Sequence, residues 1–138
     1  MPATDISPDR TAAEAARRGS PQQLAQCLRA SRQDTLSTLA ALEAVLPGLQ
    51  VPLHPELNPP LWELGHIGWF QQHWISRNPQ RHLGWDADPG AAQADADDRL
   101  YDSSAVPHDS RWQLKLPDAD TLRAQLARRR RMHDVDLA

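Results

Sequence analysis

Two histidines seven positions apart, His66 and His73, lie in the stretch NPPLWELGHIGWFQQHW together with three of the chain's five tryptophans and its single phenylalanine. A neutral imidazole offers a ring lone pair to a metal and titrates near neutral pH. At helical spacing, Trp62, Trp69 and Phe70 fall around His66. Two readings fit this pattern: a packed core histidine hydrogen-bonded to a neighbour, or a metal ligand held by outer contacts among apolar rings. His73 shares its helical face, but two turns separate the pair by roughly 10 Å along the axis. That is too far for both to hold one ion. The sequence has no HExxH, no HxxxH and no cysteine pair, so local motifs do not assemble a complete metal site.

A second group is PHDSRW, which sets His108, Asp109 and Arg111 together. An arginine fork matches carboxylates, so this segment reads either as anion or substrate recognition or as a solvated turn. The run Arg128 to Arg131 resembles a nucleic-acid patch. Four arginines at the end of a helix also complement its dipole, and the formal net charge of −3 argues against nucleic acid. Ser103 and Ser104 lack the glycine elbow of a serine hydrolase. No acid, base or nucleophile is assigned a catalytic role.

These groups need elements to position them. At 138 residues, with 40% hydrophobic and 24% charged content, the chain is one domain with one modest core. Residues 1–19 are small and polar, a disordered arm with a helical turn at TAAEAARR. Ser20 caps and Pro21 starts a helix over 21–46, striped by Leu24, Cys27, Leu28, Leu39, Leu42 and Leu46. Asn58 caps a second helix over 59–77, apolar on more than one face and therefore largely buried. Gly65 and Gly68 inside it point to close approach by another backbone or a ligand. Residues 78–117 show no period, but Tyr101, Val106, Trp112, Leu114 and Leu116 anchor them as a long ordered loop. A last helix starts near Asp118 or Asp120 and runs to about His133. The expected fold is an all-α domain occupying 20–138. The lone Cys27, the absence of a signal-like N-terminus and the lack of a ~20-residue apolar span point to a soluble cytoplasmic protein.

The blocks LNPPLWELGHIGWFQQHW and LYDSSAVPHDSRWQLKLP, in this order and separation, resemble the N-terminal DinB-like domain of the non-heme iron sulfoxide synthases of ergothioneine biosynthesis. They are closest to the selenoneine synthase branch, and the resemblance covers about residues 20–127. It implies a four-helix bundle in which three histidines hold Fe(II). The first is the histidine of the LGHI segment, here His66. It also implies an O2-dependent reaction joining sulfur or selenium to the imidazole of hercynine. The charge and the lack of an apolar span, separately, lead to the expectation of no nucleic-acid or membrane partner.

Two departures accompany the resemblance. The family's other two ligands lie in an HxxxH-type helix beyond this chain's last residue, as does a C-terminal domain resembling formylglycine-generating enzymes. The expectation is an incomplete synthase, inactive alone, with three long helices present and the fourth missing. Another part of the enzyme, or a second copy, would then cover the open face beside His66. In the substrate segment, members using γ-glutamylcysteine carry two arginines three apart. Arg111 matches one and His108 stands in the other's place, which suits a less acidic donor such as a selenosugar. Two alternatives stand beside this: a DinB-like metal-dependent thiol transferase, and a metal-free helical interaction module.

Overall fold

Prolines set where the first helices begin. The computed structural model describes residues 8–136, with side chains over 11–129. Among the described residues there is no β-strand, and the protein is all-α. Helices α1 (Pro8–Arg18) and α2 (Pro21–Val45) both open on a proline, whose missing N–H costs nothing in a first turn. Ser20 caps α2 through a reciprocal box: its hydroxyl accepts from the Gln23 amide, and the Gln23 side chain accepts from the Ser20 amide. Residues 8–18, expected to hold one helical turn within a disordered arm, form an eleven-residue helix. The rest of that arm, residues 1–7, lies outside the described residues.

The second long helix departs from expectation at both ends. α3 (Pro60–Gln71) begins after Pro59, and Asn58 provides no side-chain cap. Asn58 instead donates to Glu63 Oε1 at 2.5 Å and accepts from Arg111. A tertiary partner has outcompeted the local cap. At its other end α3 widens into a π turn, Gln72–Ser76, where the Arg77 amide reaches back to the Gln72 carbonyl. The extra residue re-aims the chain beyond the turn, and Arg77 bonds outward to Asp98 and to the Gln93 carbonyl. A four-residue helix, α4 (Asp98–Tyr101), and several short 3₁₀ segments occupy the stretch read as an ordered loop. α5 (Ala119–Asp136) starts where expected, with the Asp118 carboxylate accepting from the Thr121 amide.

α3 buries two faces against different partners. Leu64 joins Leu39 of α2 and Leu122 and Leu126 of α5 in an aliphatic core completed by Leu49. Trp62 and Trp69 join Tyr101 of α4 in an aromatic core flanked by Leu100, Leu114 and Leu116. Leu49 carries a left-handed φ of 55°. Its buried side chain helps to offset that strain. Gly68 is a point of close approach to α5: a Cβ there would lie 3.2 Å from Leu126 and closer still to Arg129.

A groove of about 460 Å³ runs between α2 and α3, lined by Leu39, Leu42, Leu64 and Ile67 with Asp34 and Thr38 at its side. The sequence places the uncovered face beside His66. This groove follows Glu63, Leu64 and Ile67 of the same helix. No described helix is long and apolar enough to cross a membrane. Leu122 is 2% exposed and central to the aliphatic core, whereas Val45 is 72% exposed. Leu122→Ala is expected to cost about 2–5 kcal/mol. Val45→Ala should change stability by about 0.5 kcal/mol or less. Urea unfolding midpoints of the two variants check this contrast.

A candidate ligand site on the aromatic face of α3

A helix of four residues cannot satisfy its own last carbonyls. α4 therefore presents acceptors to the helix packed on it, and α3 answers with three ring N–H groups from one face. Trp62 Nε1 donates to the Leu100 carbonyl at 2.8 Å, and Trp69 Nε1 donates to Asp98 Oδ1 at 2.7 Å. Between them, His66 Nδ1 lies 2.8 Å from the Tyr101 carbonyl oxygen. A carbonyl only accepts, so Nδ1 is the donor and carries the proton. Nε2 is left with its lone pair and makes no hydrogen bond among the described residues. The half-buried His66 ring stacks on Trp62 at 4.8 Å with 10° between planes, and on Trp69 at 5.7 Å. Phe70, half exposed, tilts against it at 6.1 Å.

Trp62 also connects His66 to the second candidate group. The Arg111 guanidinium carbon stands 4.0 Å over the Trp62 ring, a cation–π contact. Arg111 is otherwise turned inward: Nη1 donates to Asn58 Oδ1 at 2.8 Å and Nη2 to the Val106 carbonyl at 3.3 Å. Its Nε is buried without a hydrogen-bond partner. His108 lies between two acceptors, Asp109 Oδ1 and the Leu57 carbonyl, each 2.8 Å from a ring nitrogen. The Asp109 carboxylate first, and then the Leu57 carbonyl, raise its pKa above the ordinary 6.5. The structure thus joins His66, Trp62 and Arg111 in one stack. It uses His108 and Arg111 to strap the 106–111 turn to residues 57–58, immediately before α3.

His73 is displaced into the π turn, its ring 5.1 Å from Trp69 and its Nδ1 buried without a partner. It borders a cavity of about 390 Å³ walled by Trp69, Phe70, Trp74 and Asp102. The polar hub of this region, Asp98, was not singled out in the sequence. It accepts from Trp69, from Arg77 at 2.7 and 3.0 Å, and from the Asp95 amide. Burial pushes its carboxyl up, but the Trp69 and Asp95 hydrogen bonds and the Arg77 guanidinium outweigh that and hold it below the ordinary value. Nearby, Arg129 pairs with Asp97 at 3.0 Å and is only 7% exposed. At least this member of the arginine run is structural. Burial, then the Asp97 carboxylate, push the Tyr101 phenol up to about 12.

The fit to iron is partial. His66 has the form of an imidazole ligand: one nitrogen fixed by a carbonyl, the other free. Among the described residues, however, no three His, Cys, Asp or Glu side chains come together to hold a metal ion. His133 lies beyond the described side chains. No family model matches the sequence, and no curated protein matches it.

The strap has a pH signature. Because the folded pKa of His108 is raised, its contribution is fully present below the unfolded value of 6.5 and is lost as pH rises through the folded value. Wild type should lose stability relative to His108→Gln as pH climbs above that range, measured by urea midpoints across pH. Asp98 acts with the opposite sign: its contribution is present above the ordinary 3.8 and is lost as pH falls through its depressed folded value. At pH 7 Asp98→Ala should cost about 1–3 kcal/mol, since it removes the acceptor of Trp69 Nε1 and of Arg77 Nη2. The same unfolding assay checks it.

Proposed function

We propose that this chain is the DinB-like, iron-ligating domain of a non-heme Fe(II), O2-dependent synthase that forms a C–Se or C–S bond on the imidazole of hercynine. His66 is one metal ligand in this reading. The observation that carries it is the state of that side chain. Its Nδ1 proton is fixed on the Tyr101 carbonyl, and its Nε2 lone pair has no partner among the described residues. The ring is half-buried, so Nε2 is open to an incoming metal as it is to water. The all-α architecture is compatible with a helical bundle, and the two blocks behind the resemblance meet at the Trp62 ring.

When bound, Fe(II) supplies the redox chemistry with O2. Among the described residues His66 is the donor assigned in this reading, and no set of three ligand side chains gathers there. The chain's own part is binding, orientation and exclusion of water. Trp62, Trp69 and Phe70 shield the imidazole on the α3 face. Arg111 places positive charge beside the aromatic stack, suited to orienting a donor's carboxylate or hydroxyls, and His108 holds the turn that carries it. A DinB-like thiol transferase would use the same His66 but would not consume O2. A metal-free interaction module is the second reading, favoured by the groove between α2 and α3 and by the lack of a clustered ligand set among the described residues.

The test is iron content in the complete enzyme. His66→Ala should abolish iron loading and turnover, while His73→Ala should leave iron content nearly intact. The isolated 138-residue chain should bind Fe(II) only weakly. Equal iron loss in the two variants would contradict the ligand assignment. For the donor, His108→Arg is expected to shift kcat/KM toward γ-glutamylcysteine relative to a selenosugar. An unchanged ratio would remove this segment from donor selection.

A further inference from the structure

We infer that Tyr101 and Gly65 form a positioning lock that sets both the orientation and the tautomer of His66. Gly65 immediately precedes His66, and at that point the Tyr101 ring lies directly against the α3 backbone. A Cβ on Gly65 would overlap the phenol ring. With a glycine there, the ring is 1% exposed and clamped by Trp62 and Trp69, with Leu100, Leu114 and Leu116 behind. The same residue's backbone carbonyl receives the His66 Nδ1 proton at 2.8 Å. Ring and carbonyl belong to one residue at the end of α4, so seating the ring seats the acceptor.

The two flanking bonds fix the register. Trp62 Nε1 holds the preceding carbonyl, Leu100, and Trp69 Nε1 holds Asp98 at the start of α4. Sliding α4 by one residue would break all three bonds and drive the Tyr101 ring off Gly65. The phenol oxygen contributes nothing visible to this arrangement, being buried without a hydrogen-bond partner. What matters in Tyr101 is its ring and its carbonyl. These residues touch no substrate and donate nothing to a metal; they act through His66. The inference rests on the proposed function only for the use to which Nε2 is put.

The experiment is ¹⁵N NMR of the histidine rings in the full 138-residue chain, without metal, in alkaline buffer. Ring nitrogen shifts distinguish an Nδ1–H from an Nε2–H imidazole. Wild type and Tyr101→Phe should both show His66 as Nδ1–H. Gly65→Ala, which removes no hydrogen-bonding group, and Tyr101→Ala should lose that signature, giving Nε2–H or an average. Leu122→Ala, destabilised through the other core, should keep it, so a merely structural effect would not produce the pattern. If Tyr101→Ala does not fold, Tyr101→Leu replaces it and Gly65→Ala decides. Three results would overturn the lock: Nε2–H in wild type, retention of Nδ1–H in folded Gly65→Ala, or its loss in Leu122→Ala as well. Failure of wild-type His66 to ligate iron would instead sink the functional reading and leave the lock standing.

Discussion

The carbonyl groups at the end of α4 are the constraint on which much of this protein depends. A helix so short has no intrahelical donors for them. Burying them beside Trp62 and Trp69 would be costly unless those donors came from elsewhere. α3 supplies them from one face. The same contacts that satisfy α4 seat Tyr101 on Gly65, order the long excursion between α3 and α5, and dictate which nitrogen of His66 carries a proton. Aromatic burial supplies the driving force, and the three hydrogen bonds convert it into a single register.

Around that junction the chain separates its two cores by side-chain type. Aliphatic side chains of α3 face α2 and α5, while its indoles face α4 and the segment through Leu116. This division explains how a helix that is apolar on more than one side can exist in a small domain. The excursion covers the second side and is as structural as the helices. The strap at residues 106–111 works in the same way. Arg111 spans Trp62, Asn58 and Val106, so a residue suited to carboxylate recognition also holds the entry to α3.

Much of the helical framework is legible in the sequence because its signals are local. Ser20, Pro21 and Gln23 lie within one turn and cap α2 as their spacing requires, and Asp118 does the same for α5. The crowding of rings around His66 is equally visible at helical spacing. Partners distant in the chain set the features that escape. Asn58 reads as a cap, but Arg111, 53 residues on, takes its oxygen. Asp98 sits in an acidic, aperiodic stretch, and nothing local marks it as the hub for Trp69 and Arg77, 29 and 21 residues away. The π turn accompanies those same distant bonds. The His66 tautomer depends on the Tyr101 carbonyl, 35 residues away, and no spacing rule reaches that far.

The proposed role of His66 Nε2 as a metal ligand is measured most directly by paramagnetic broadening of histidine ring resonances on anaerobic titration of the chain with Fe(II). The His66 signals should broaden first, at lower metal concentration than those of His54, His73, His82 or His108. Broadening that is uniform across these rings, or led by the exposed His54 and His82, would contradict it.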